Sequence, residues 1–122
     1  MSTPLVSPVI LGEEIADETT PILEQLEREP MAPRQNCAAD LLFGFVADSL
    51  PTGATGVTLT LVVTDADDNT EEILLNAGDE VDSVGGVATA FTCTLLMAKG
   101  LTYDLKVNLP GTLTYLQVDE VD

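Results

Sequence analysis

The chain has 122 residues, enough for one domain with its own core and no need of metal or disulfide support. Apolar residues make up 45% of it, which argues against wholesale disorder. Twenty-one acids against four bases give a formal net charge of -17, so nucleic acid and anionic membrane surfaces are repelled as direct partners. The excess is spread out, with eight acids and two arginines in residues 1–40 and thirteen acids and two lysines in residues 41–122. Bases are sparse everywhere, which reads as a surface kept soluble in a salty medium rather than a face made for one basic partner. No apolar run approaches the ~20 residues that cross a bilayer. The opening MSTPLVSPVILGEE lacks the basic start of a secretion signal, so folding in a cytoplasm is expected.

Five of the seven prolines (Pro4, Pro8, Pro21, Pro30, Pro33) fall in the first 33 residues. Proline removes a backbone donor and disfavours helix in the residue before it. Residues 1–39 therefore read as an extended arm, interrupted by one short helix over residues 21–28. Thr20 is its expected N-cap, Pro21 its first residue, and Pro30 its stop. Ordering such an arm costs on the order of 1–2 kcal/mol per residue in backbone entropy, more than its apolar side chains return on burial. Backbone hydrogen bonds must supply the rest, for instance by adding LVSPVILG to a sheet edge. Attachment to another subunit is favoured over the arm's own domain. The partner-binding residues would then be Leu5, Val6, Val9, Ile10, Leu11, Ile22, Leu23 and Leu26, and the body would stay folded without residues 1–33.

From Asp40 onward the apolar period is two, the mark of half-buried antiparallel strands. VTLTLVVT (57–64) places Val57, Leu59, Leu61 and Val63 on one face. VATAFTCTLLM (87–97) does the same with Val87, Phe91, Cys93, Leu95 and Met97. LTYDLKVNL (101–109) aligns Leu101, Tyr103, Leu105, Val107 and Leu109 against Thr102, Asp104, Lys106 and Asn108. LLFGFVA (41–47), TEEILLN (70–76) and TLTYLQV (112–118) complete the set, and the adjacent Tyr115 and Leu116 call for a bulge or an inner–outer switch. Leu109-Pro110-Gly111-Thr112 suits a type II hairpin turn, while DADDN and SVGG would close two further hairpins. The expected fold is all-β: a small antiparallel β-sandwich, Ig-like, of about six strands over residues 40–122.

The chain contains no histidine, which removes the usual general base and the common nucleophile pairs. It has no phosphate-binding glycine loop, and aromatics at 4% are too few for a sugar-stacking cleft. An enzyme is not expected, and no cofactor is implied. Asp65, Asp67 and Asn69 stand at positions 1, 3 and 5 of a calcium-loop pattern, but Thr70 replaces its glycine and Asn76 its bidentate glutamate. A polar hairpin tip is the favoured reading, since Asp and Asn suit such turns anyway. GDEVD (78–82) is read as a solvated connection. Cys93 shares the parity of Phe91 and Leu95, so a buried reduced thiol is favoured over a bridge to Cys37.

Two stretches resemble the small β-sandwich modules of tailed-phage virion proteins, of the type found at the N-terminus of BppU-like baseplate proteins and in LtfC-like accessory proteins. They are LPTGATGVTLTLVVTDADDN (50–69) and AKGLTYDLKVNLPGTLTYLQVDEV (98–121). The resemblance covers the chain from about Asp40 onward and leaves residues 1–39 without a counterpart. It implies a structural module with no catalytic residues to transfer. It leads to the expectation of a virion protein anchored through the arm, first as capsid decoration or cement, next as a neck, tail or baseplate adaptor. Its partners would be the major capsid protein or neck and tail subunits, and copies of itself. A calcium- or glycan-binding adhesion module is the reading from a different class.

Overall fold

The computed structural model describes residues 3–16, 19–47, 57–75 and 89–121. Within them the period-two runs form strands β2 (Cys37–Ala47), β3 (Leu59–Thr64), β4 (Thr70–Leu74), β5 (Thr89–Met97), β6 (Thr102–Val107) and β7 (Gly111–Val121). These are the six strands expected of the body. A seventh, β1 (Thr3–Ala16), precedes them, followed by a single helical turn, α1 (Ile22–Gln25). All pairings are antiparallel, in a four-stranded sheet of order β1-β7-β2-β5 and a three-stranded sheet of order β4-β3-β6.

Alternation explains the core between them. Leu41, Phe43 and Phe45 of β2, Leu95 and Met97 of β5, and Leu113, Leu116 and Val118 of β7 are buried from one sheet. Leu59 and Leu61 of β3 and Tyr103, Leu105 and Val107 of β6 are buried from the other. The Phe43 and Phe45 rings stack with centroids 6.1 Å apart. Each such side chain, fully buried, is worth about 1.5–3 kcal/mol. β4 is the exception, because all five of its residues are exposed.

The adjacent Tyr115 and Leu116 are accommodated by a bulge, one of the two arrangements the pattern left open. Leu113 pairs with Phe45 and Tyr115 with Gly44, which leaves Thr114 as the extra residue. Leu113 and Leu116 can then both reach the core although they are three apart. Gly44 is needed opposite the bulge, since a Cβ there would collide with Thr114 Oγ1.

Three expectations are corrected. First, LTYDLKVNL and TLTYLQV are not a hairpin: β6 pairs with β3, whereas β7 crosses to the other sheet and pairs with β1 and β2. Gly111 opens β7 opposite Ala47 and is not in the left-handed region a type II turn needs; Gly100, before β6, is, at φ 92°. Alternation tells a strand which face to bury but not which neighbour to take, and β7 gains two long ladders by crossing.

Second, the arm does not leave the body. β1 is hydrogen-bonded to β7 from Thr3↔Glu120 to Ala16↔Gly111. Leu5, Val6, Val9, Ile10 and Leu11 therefore lie in a strand of the chain's own sheet, and Leu5 packs against its core. Ile22 and Leu23 are fully buried and Leu26 packs against the same cluster, so none of the three is free for a partner. Residues 1–39 and 40–122 are thus not separate units. An edge on the same chain is reached without the loss of translational freedom that docking on another molecule entails.

Third, the helix is shorter than residues 21–28, and Pro21 rather than Thr20 is its N-cap, with no side-chain cap from its own segment. SVGG (83–86) and GDEVD (78–82) lie outside the described residues.

Candidate functional site

The DADDN turn joins β3 to β4 as a hairpin tip. Asp67 and Asn69 donate their backbone N–H groups to Asp65 Oδ1, both at 2.9 Å, and Asn69 Nδ2 donates to Asp65 Oδ2 at 3.2 Å. Asp68 takes the left-handed conformation, φ 64°, that such a turn needs. Donation from Asn69, backbone then side chain, holds the Asp65 carboxyl below its ordinary value. The sequence-predicted trio Asp65, Asp67 and Asn69 is therefore brought together, with Asp65 receiving the loop's own donors.

A second polar cluster lies on the outer face of the four-stranded sheet. Asp40 of β2 pairs in register with Asp119 of β7 and with Thr94 of β5, and Leu42 with Gln117 and Thr92. The register puts two carboxylates opposite each other, which is unfavourable unless donors surround them. Donors are at hand: Thr94 Oγ1 donates to Asp40 Oδ1 at 3.3 Å, Gln117 Nε2 to Asp119 Oδ2 at 2.5 Å, and Tyr115 Oη to Gln117 Oε1 at 2.5 Å. Asp40, Thr94, Gln117 and Asp119 line a shallow groove of about 460 Å³. Sequence reasoning missed it, because Asp40 and Asp119 become neighbours only through the β2–β7 register.

Among the described residues, the most buried acid had no local signal either. Asp104 occupies an outward position in the alternation of β6, yet it is only 6% exposed, because α1 packs there. Its Oδ1 accepts the N–H of Leu23 at 2.9 Å and of its neighbour Leu105 at 2.7 Å. Asp104, 81 residues further along the chain, thus satisfies the Leu23 N–H of α1, the kind of donor that Thr20 was expected to satisfy. Burial raises its carboxyl above the ordinary value, against the lowering effect of those donors. Below it, Met31 and Tyr103 exchange backbone hydrogen bonds of 2.7 and 2.8 Å.

Cys37 and Cys93 are both free thiols, raised in pKa chiefly by burial. Their register partners place them apart: Cys37 faces Met97, and Cys93 faces Leu41. Four residues along a ladder is about 13 Å, beyond the ~7 Å that a disulfide tolerates between Cα atoms.

No family model matches the sequence, and no curated protein matches it. Several solved structures are similar to it at a low level. The globular domain of zebrafish complement 1qA protein is 14% identical, with a TM-score of 0.49, over 93% of this chain and 92% of that one. A pentameric capsid protein isolated from metagenomic phage sequences is 12% identical, TM-score 0.43, over 98% of this chain and 60% of that one. The Eiger TNF of S. frugiperda is 8% identical, TM-score 0.45, over 94% and 85%. At these identities no residue role passes from them to this chain. Among the described residues, no helix is long and apolar enough to cross a membrane, and no group of three or more metal-ligating side chains comes together.

Proposed function

We propose that the chain is a non-enzymatic structural protein of a tailed-virus virion, set on the capsid as a decoration or cement protein. One observation carries this reading. The two stretches that resemble virion modules are far apart in sequence, yet their strands β3 and β6 pair from Leu59↔Val107 to Thr64↔Thr102. The second stretch also holds β7, which crosses to the other sheet, so the likeness falls on three strands of one sandwich, two of them paired, as a shared module would leave it. The acidic surface fits a protein held in quantity at a particle's exterior, kept soluble by charge and away from the packaged nucleic acid.

Anchoring through the arm is no part of the proposal, because β1 and α1 are used by the body itself. Attachment to the major capsid protein, and between copies, falls to the sheet edges and outer faces. A neck, tail or baseplate adaptor is the second reading, favoured by the baseplate members among the resembling modules.

Quantitative mass spectrometry of purified particles tests both. Copies in proportion to the major capsid protein support decoration, and a single ring's worth supports the adaptor. Absence from particles overturns the virion role. A calcium titration separates the adhesion reading, since binding to the folded state would raise the melting temperature.

A further inference from the structure

Each sheet edge offers unpaired N–H and C=O groups, and folded proteins blunt such edges. Three of the four edges here are blunted. β1 carries Pro4 and Pro8, Glu13 and Glu14, and three register irregularities. β4 is five residues long with Glu71 and Glu72 at its centre, and Glu72 meets Lys106 at 3.6 Å. β6 is covered by α1 and by the Met31–Tyr103 bridge.

β5 has none of these devices. Among the described residues its one neighbour is β2, and its nine residues, TAFTCTLLM, contain no charge, proline or glycine. In a chain of net charge -17 this is a neutral strip where a second acidic chain can approach. Leu96, on its outer face, is 81% exposed.

The order of residues identifies the occupant. Read outward from Cys93, the central seven residues are chemically symmetric: Thr92 matches Thr94, Phe91 matches Leu95, and Ala90 matches Leu96, and only the end pair, Thr89 and Met97, differs in kind. We propose that β5 is a self-pairing edge, at which two copies of this chain join antiparallel about a two-fold axis at Cys93. Threonine then lies opposite threonine and apolar opposite apolar, the cross-strand matches that stabilise a sheet. Opposite residues have equal parity, so the inner faces of the two copies stay on one side and the four-stranded sheets fuse into one of eight. This pairing rests on the strand itself and is independent of the virion reading.

The register makes a covalent test available. Opposite residues of an antiparallel pair have Cα atoms about 4.5–5.5 Å apart, within disulfide range. In a Cys37→Ser background at alkaline pH, diamide should join Cys93 of one copy to Cys93 of the other, two thiols losing two protons and two electrons to the oxidant as the S–S bond forms. Sedimentation equilibrium of the full chain should show a dimer, tighter at high salt where the repulsion of like charges is screened. Leu96→Lys, a change at an exposed position that leaves the fold intact by circular dichroism, should weaken the dimer about tenfold or more. A monomer at high salt, a dimer that yields no Cys93 cross-link, or a dissociation constant unmoved by Leu96→Lys overturns the proposal.

Discussion

The two outer strands of the three-stranded sheet pair with the same central strand, β3, and have opposite fates. β6 buries Tyr103, Asp104, Leu105 and Val107, whereas β4 leaves every residue exposed, Ile73 and Leu74 included. The difference lies in what remote sequence lays over them. β6 receives α1, whose backbone is held by Asp104, and the strand-like bridge from Met31. β4 receives the ion pair from Lys106 to Glu72, a partly exposed contact of the kind worth little. How deeply a strand is buried here depends on a covering segment far away in the chain.

Removing the cover should break the contrast. Deleting residues 1–33 takes away β1, α1 and Met31 together, and loss of cooperative thermal unfolding is expected. A body that still melts cooperatively would show that β6 is held by the sandwich alone. Leu23→Ala is milder and should cost about 2–5 kcal/mol in urea unfolding, the range for emptying a fully buried aliphatic site. Asp104→Ala strands the Leu23 N–H and should cost about 1–3 kcal/mol, while Asp104→Asn keeps an acceptor there and should cost less.

pH sharpens the comparison, because two acids are displaced in opposite directions. Asp104 titrates above its ordinary value when folded, so its contribution to stability is complete below that value and lost as pH rises through the elevated one. Asp104→Asn should therefore gain on the wild type between acid and neutral pH. Asp65 titrates below its ordinary value, so its contribution is present above that value and lost as pH falls through the depressed one. Asp65→Asn should show the opposite trend in the same denaturation series. Smallest of all, Leu74→Ala on the uncovered strand should change stability by no more than about 0.5 kcal/mol.

Period two was enough to read the sandwich, its six body strands and the buried face of each well-packed one. It also marked the irregularity near Tyr115, because adjacent apolar Tyr115 and Leu116 break the alternation, although it left a bulge and an inner–outer switch both open. The hairpin at Pro110-Gly111 was misread because a short proline-glycine link fits a sheet-to-sheet crossing as well as a turn. LVSPVILG was expected at a sheet edge, as β1 is, but at the edge of another subunit, since nothing local in its residues says whose edge it takes; the register shifts at Pro4/Val6 and Val6/Val9 show how its prolines are tolerated there. The Asp65 turn was legible from local chemistry. Asp104 and the Asp40–Asp119 pair were not, because each depends on contacts between residues tens of positions apart.

The crossing of β7 bears on how the protein is made. Its residues leave the ribosome after those of every other described strand, yet they sit between β1 and β2 and pair with both. Until Gly111–Val121 emerges, β1 has no neighbour among the described strands of that sheet to pair with. Closure of that sheet must wait for β7, so folding is expected to be slow, dominated by distant pairings.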